Sequence, residues 1–275
     1  MGLVNPRLAD VIAVLDRLYD PSWAESWDAV GLVTGDLDQP VRRVLFAVDP
    51  MREVVDEAIA GDFDLLVTHH PLLLRGVNSV AATTPKGRVV HDLIRSNTAL
   101  HVCHTNADNA NPGVSDALAA ALGVCDTRPL NPMPDGDGRG GGRIGVLAEP
   151  LKLRDFARLV ADSLPRTEHG VRVAGDPERL ITTVAVVGGA GDSEFARVRA
   201  AGVDAYVTAD LRHHPATEAQ AYGAGPALVD VAHWASEWPW LRDADRLLCQ
   251  SLAAQGSTVE THISTLCTDA WTLRL

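Results

Sequence analysis

The chain has 275 residues, of which 46% are hydrophobic and 22% are charged, and its formal net charge is −12. This composition is typical of a globular protein with one large domain or two small ones. The acidic balance excludes a general nucleic-acid binder, which needs a basic face, and no apolar run approaches the ~18 residues of a membrane span. The N-terminus lacks the pattern of a signal peptide, so we expect a cytoplasmic protein with no membrane partner.

Strands and helices alternate along most of the chain. The predicted helices are 6–19, 51–61, 87–97, 114–123, 151–164, 192–201, 215–223 and 235–255. The predicted strands are 42–50, 63–68, 98–105, 144–149, 179–189, 203–210, 226–234 and a last one within 257–266, whereas 27–36 is predicted to be a loop. This alternation indicates βαβ units and a mainly parallel sheet.

The two halves of the chain contain related segments. "VLFAV…DLLVTHH" (44–70) aligns with "VAVVG…DAYVTAD" (184–210) at a constant offset of 140, and the third strands align at an offset of 128. Any two βαβ units look somewhat alike, but the constant register favours a true pseudo-repeat. We therefore predict an α/β fold of two interlinked, pseudo-repeated lobes with mainly parallel or mixed sheets and flanking helices. The predicted parts are a first lobe of 1–125 with 232–275, a Pro/Gly-rich linker at 126–143, and a second lobe at 144–231.

Potential metal ligands follow three of the predicted strands. Functional groups of open parallel sheets gather beyond the carboxyl ends of the strands. Neighbouring side chains of a strand point to opposite faces, so two adjacent histidines at a strand end can reach two different metal ions. The candidate ligands are His69 and His70 after 63–68, His104 and Asp108 after "ALHVC" (99–103), and His233 and Glu237 after "PALVDVA" (226–232).

Each cluster also has an ordinary structural explanation. One of the paired histidines could pack on a helix while the other faces water. Asp108 could cap the helix that begins near Pro112, and Ser236 could cap a helix with Glu237 in its acidic first turn. Together, however, three histidines and two carboxylates exceed what one tetrahedral zinc with an open position needs. They suit a two-metal centre, with the ions ~3.5–4 Å apart and bridged by a carboxylate.

Six motifs occur in a fixed order along the chain. They are "ESWDAVGL" (25–32), "VTHHPLL" (67–73), "HTNAD" (104–108), "GGAG" (188–191), "YVTADLRHH" (206–214) and "DVAHWASE" (230–237). The set resembles the Nif-three-like family of dinuclear-metal hexameric proteins, whose members are often called GTP cyclohydrolase type-two homologues. The resemblance implies two divalent metal ions per subunit and a bridging role for Asp108. The ligands that it implies are His69, His70, Asp108, His233 and Glu237.

The resemblance further implies a ring-shaped homohexamer and a hydrolase. The specific reaction would be opening of the guanine imidazole ring of GTP by a metal-activated hydroxide, with release of formate. His104 or His214 could transfer protons. Zn, Fe, Mn, Co and Ni all suit these ligands. Hydrolysis of another nucleotide or a phosphoester remains an alternative, as does a non-enzymatic metal-binding or regulatory hexamer.

The sequence does not identify which residues contact the substrate. Ala29 replaces an asparagine of the family's W-D-N pattern, and Ala209 replaces a glycine. Arg212 and the segment 188–191 could receive phosphate, although "GGAG" is no Walker motif and a plain turn is the commoner explanation of it. The histidine pair at 213–214 could simply be a polar helix start.

Overall fold

The computed structural model describes residues 5–134, 136–223 and 225–275. Its helices are α1 (Leu8–Leu18), α2 (Arg52–Ala60), α3 (Pro85–Ser96), α4 (Thr105–Asn109), α5 (Val114–Ala121), α6 (Leu153–Ser163), α7 (Phe195–Ala201), α8 (His213–Ala221), α9 (His233–Glu237) and α10 (Trp240–Ala254). Its strands are β1 (Gly31–Thr34), β2 (Arg43–Ala47), β3 (Leu65–Thr68), β4 (Ala99–Val102), β5 (Val124–Pro132), β6 (Gly140–Lys152), β7 (Arg172–Ala174), β8 (Leu180–Ala190), β9 (Ala205–Ala209), β10 (Ala227–Val231) and β11 (Glu260–Ile263). Within these described ranges, no helix is both long enough and apolar enough to span a membrane.

The chain divides into two compact units, each with its own sheet. The first unit runs up to Ala107 and takes in Leu241–Thr268, and the second comprises Asp108–Trp240 and Asp269–Leu275. The first sheet has the order β1-β4-β3-β2-β11, in which only β1 pairs antiparallel. The second has the order β5-β6-β8-β9-β10-β7, with β8, β9 and β10 parallel at its centre. The predicted α/β fold with two lobes, mixed sheets and flanking helices is confirmed.

The two units repeat the same βαβ arrangement in the same register. The carboxylate of Asp64 accepts the backbone N–H groups of residues 42 and 43, at 2.7 and 3.0 Å. The carboxylate of Asp204 accepts those of residues 182 and 183, at 3.0 and 2.9 Å. Both the acceptors and the donors are 140 positions apart. In each unit the carboxylate fixes the start of one parallel strand to the start of the next, which confirms the pseudo-repeat.

Each sheet packs its apolar side chains against its own helices. In the first unit, Leu45, Leu66 and Leu100 project from β2, β3 and β4 into a core shared with α2 and α3. In the second unit, Tyr206 and Leu228 lie in the core that includes α7. Burial of one such leucine contributes roughly 1.5–3 kcal/mol. These cores hold the strand ends that carry the candidate ligands in fixed positions.

The segment 126–143 forms a hairpin where the sequence predicts a linker. Strands β5 and β6 pair antiparallel over most of it, while Asp135 lies outside the described residues. The glycines that suggested a linker let the strands approach closely, because a Cβ on Gly140 would stand 2.2 Å from the carbonyl oxygen of Asn131. The chain passes from the first compact unit to the second after Ala107 and returns to the first at Leu241.

Other elements also differ from the sequence prediction. The predicted loop 27–36 contains β1, which adds to the edge of the first sheet beside β4. The predicted helix 235–255 is interrupted, since α9 ends at Glu237 and α10 begins at Trp240. Pro239 stands at the break, where its missing N–H cannot continue a helical hydrogen-bond ladder.

A buried histidine in β4 makes the first unit sensitive to acid. Burial lowers the pKa of His101 to about 4 from its usual 6.5, and its Nδ1 has no hydrogen-bond partner among the residues that the structure describes. The folded state therefore binds fewer protons than the unfolded chain between these two pKa values. Stability present above pH 6.5 is then lost as the pH falls towards 4.

We expect the chelator-treated protein to lose about 2 kcal/mol of unfolding free energy between pH 7 and pH 5 through this residue. The variant His101→Leu should lack this loss, and His91→Gln, which changes an exposed imidazole on α3, should retain it. Urea unfolding at pH 7, 6 and 5 measures the difference. Equal pH dependence in His101→Leu and the unaltered protein would contradict the assignment.

Candidate metal centre

Three imidazoles meet at one edge of the first sheet. His69 and His70 follow β3 directly, and His104 follows the neighbouring parallel strand β4. A potential ligand atom of each lies within 4.8 Å of those of the other two. The ring centroids are 5.0 to 5.6 Å apart. Because the strands are parallel, their carboxyl ends coincide, and side chains distant in sequence converge on a place where a metal ion could be bound.

Each of these rings is oriented through its Nδ1 atom. An Nδ1–H that donates to an oxygen fixes the tautomer, so that Nε2 carries the lone pair, and this is the usual arrangement of metal-ligating histidines. The donor–acceptor pairs are His69 Nδ1 with the Cys103 carbonyl at 2.9 Å, His70 Nδ1 with Asp49 Oδ1 at 2.7 Å, and His104 Nδ1 with Asp28 Oδ1 at 2.8 Å.

Asp28 carries a fully buried carboxylate, and its place in the first motif alone indicates no role for it. Its burial favours a higher pKa, but hydrogen bonds from His104 and Thr105 outweigh burial and hold the pKa well below the usual range. The backbone N–H of Ala29 also donates to it, at 2.7 Å. Ala29, which replaces the asparagine of the family's W-D-N pattern, thus contacts the carboxylate through its backbone. The "WD" of the motif was the only sequence signal for this orienting residue.

The second unit holds a fourth imidazole and a buried carboxylate. His233 and Glu237 lie one turn apart on α9, with Nε2 and Oε1 separated by 3.0 Å. Nδ1 of His233 donates to Asp210 Oδ2 at 2.7 Å, which repeats the pattern of the first unit. The negative charge of Glu237, opposed by burial and aided by Asp210, raises the pKa of His233 to about 11. The surroundings of His233 therefore favour positive charge, as a cation site must.

A glycine allows β8 to approach this pair. Gly189 has a φ of +72°, and a Cβ there would stand 2.5 Å from Glu237 Oε1 and 3.1 Å from His233 Nε2. Any side chain at this position would occupy the space directly beside the two potential ligand atoms. The second glycine of "GGAG" thus leaves room around the ligand pair.

The "GGAG" segment does not form a phosphate-binding loop. The N–H groups of Gly188 and Gly189 donate to the hydroxyls of Ser115 and Ser236, at 3.3 and 2.8 Å. The hydroxyl of Ser236 in turn donates to a carbonyl at the start of α9, at 2.7 Å, so Ser236 lies inside the helix and does not cap it. These hydrogen bonds fix β8 to α5 and α9.

The remaining sequence candidates lie on α4 and at the start of α8. Asp108 is half-buried in α4 and is not the cap of α5, which begins after Gly113. His214 is exposed in the first turn of α8. Arg212 forms an ion pair with Asp192.

Comparison with known proteins gives one consistent family. The family model described as Duf34/NIF3 (NGG1p interacting factor 3) matches residues 6–270. A Streptomyces coelicolor protein named "GTP cyclohydrolase 1 type 2 homolog" is 57% identical over 269 residues, covering 97% of this chain and 94% of its own length. A Mycobacterium tuberculosis protein of the same name is 39% identical over 376 aligned positions, covering 98% of each chain.

Solved structures show the same fold over nearly the whole chain. A Bacillus cereus protein related to NIF3 superposes with a TM-score of 0.91 at 25% identity, covering 98% of this chain and 99% of the other. A Staphylococcus aureus protein superposes with a TM-score of 0.89 at 28% identity, covering 98% and 100% of the two chains.

Proposed function

Because the chain belongs to the Duf34/NIF3 family, we propose that it is a metal-dependent hydrolase that acts on a nucleotide. GTP is the first candidate substrate and formate the expected product. The name shared by its relatives, "GTP cyclohydrolase 1 type 2 homolog", supports this choice of reaction. The proposal also includes the ring-shaped homohexamer that the family resemblance implies, and a cytoplasmic location.

The observation that carries the proposal is the common orientation of four imidazoles. Each donates from Nδ1 to a carbonyl or carboxylate oxygen, which makes Nε2 the nitrogen that can bind a metal ion. Imidazole and carboxylate together suit Zn, Fe, Mn, Co or Ni. Gly189 keeps a side chain away from Glu237 Oε1 and His233 Nε2, the two atoms of the second unit that would hold an ion. We assign two divalent ions to five ligands, namely His69, His70, Asp108, His233 and Glu237.

The side chains of this protein would position the reacting groups and transfer protons. When bound, divalent ions supply the Lewis acidity that makes water a competent nucleophile near neutral pH. The ionised carboxylate of Asp28 holds His104 at Nδ1, so that its Nε2 can accept a proton from water and pass it to a ring nitrogen of the base. One water opens the imidazole ring at C8 and a second releases that carbon as formate. We assign proton transfer to His104, since His214 is exposed on α8.

Metal content per chain tests the proposal first. Elemental mass spectrometry on untagged protein should find two equivalents, and Asp108→Ala should lose at least one of them. Asp162→Ala, which changes an exposed carboxylate on α6, should retain both equivalents.

Formate release from GTP, followed on the same preparations, should require the metal. One equivalent or none, unaffected by Asp108→Ala, would refute the two-metal centre. Two equivalents without turnover of GTP or other nucleotides would instead support a metal-binding hexamer.

A further inference from the structure

A cavity of about 480 Å³ opens beside His233 in the second unit. Its size lies within the range of small-molecule sites. The C-terminal segment contributes Trp271, Leu273 and Arg274 to the lining, to which His169 also belongs. The cavity therefore combines a proposed metal ligand with a cation and a large aromatic ring.

Arg274 is the arginine of this cavity whose charge is not already engaged. Arg172 donates from Nε to the buried carboxylate of Asp230 at 2.8 Å. The Arg274 guanidinium lies over the turn at Gly170, where its Nη1 would be 3.1 Å from an added Cβ. Within residues 5–134, 136–223 and 225–275, no ion pair or hydrogen bond engages this guanidinium. Its planar fork of donors suits the oxygens of a phosphate or carboxylate.

Trp271 provides an apolar surface in the same lining. Its side chain is 67% exposed although it is among the largest apolar groups of the chain. Within the described part of the chain, its indole stacks on no other aromatic ring. An exposed indole that lines a cavity is suited to stacking on a planar ligand, and Leu273 extends the apolar surface.

The acidic side chains of the cavity narrow the class of ligand. Glu168, Asp210 and Asp269 also line it, so a bare polyanion would meet repulsion as well as Arg274. A guanine ring, by contrast, carries N–H donors that carboxylates accept. We propose that this cavity binds a purine nucleotide, with the base on Trp271 and the phosphates on Arg274. This inference rests on the proposed nucleotide hydrolase and identifies where its substrate binds.

Binding measurements with three ligands test the two contacts separately. Calorimetry with GTP, guanosine and inorganic triphosphate should be run on metal-loaded protein and on chelator-treated protein. Arg274→Gln should weaken GTP binding about ten-fold or more and leave guanosine binding unchanged. Trp271→Ala should weaken both GTP and guanosine about ten-fold and leave triphosphate unchanged. Arg158→Gln, an exposed arginine on α6, should bind all three like the unaltered protein, and all variants should keep the same metal content.

The outcomes separate this inference from the proposed function. If Arg274→Gln and Trp271→Ala bind GTP as Arg158→Gln does, while the protein holds two metal ions and releases formate, only the assignment of the cavity fails. If chelator-treated protein binds GTP through Arg274 and Trp271 but the two-metal test fails, the cavity stands without the hydrolase. If inorganic triphosphate binds as tightly as GTP, the purine base does not contribute to binding and its proposed stacking on Trp271 is wrong.

Discussion

Replacing Gly189 by alanine is expected to remove about one of the two metal ions per chain that we propose. The added Cβ would lie 2.5 Å from Glu237 Oε1, closer than carbon and oxygen atoms can approach, and 3.1 Å from His233 Nε2. Neither group can withdraw easily, because Glu237 is buried and Asp210 holds His233 at Nδ1. The positive φ of +72° adds roughly 1–2 kcal/mol of backbone strain. Metal content and urea unfolding together measure both effects.

Gly202 provides a matched control for the strain. It has a similar φ of +66°, but nothing lies within 4 Å of the position that its Cβ would take. Gly202→Ala should therefore lose similar stability and keep its full metal content. Equal metal content in the two variants would show that the space beside the His233–Glu237 pair holds no ion.

Replacing Arg143 by methionine is expected to lower the unfolding free energy by about 3–5 kcal/mol. Its guanidinium is only 2% exposed and binds both carboxylate oxygens of Asp116 at 2.6 Å. It also donates to the carbonyls of Gly140, Gly142 and Ala110 at 2.6, 2.7 and 2.8 Å. Without the arginine, the half-buried carboxylate of Asp116 and three carbonyls would lose this donor, which costs far more than the pair itself contributes.

An exposed ion pair gives the comparison. The side chain of Arg197 is 49% exposed and pairs with Glu194. Arg197→Met should therefore change the unfolding free energy by less than about 1 kcal/mol. Urea unfolding of both variants measures the difference in unfolding free energy. Similar destabilisation in the two would mean that Arg143 does not organise the glycine-rich start of β6 and the segment after α4.

The local patterns of the sequence determined the fold class and the residue types of the candidate site. Hydrophobic periodicity depends on neighbours within a few positions, so the βαβ units, the offset of 140 and the strand ends at His69, His104 and His233 could be predicted from the sequence. The break at Pro239 and the hairpin at 126–143 could not, because glycine and proline mark both close strand packing and loops.

Only the tertiary structure decided which groups orient the imidazoles and what surrounds them. Asp28 and Asp49 lie 76 and 21 positions from the histidines that they hold, and Asp210 lies 23 positions from His233. A carboxylate that orients a ring is indistinguishable in sequence from a solvated one, since its role depends on the sheet that brings it there. The same holds for Gly189, a turn glycine in sequence that leaves space at Glu237, and for Arg274, whose terminal segment contributes to the lining of a cavity beside His233.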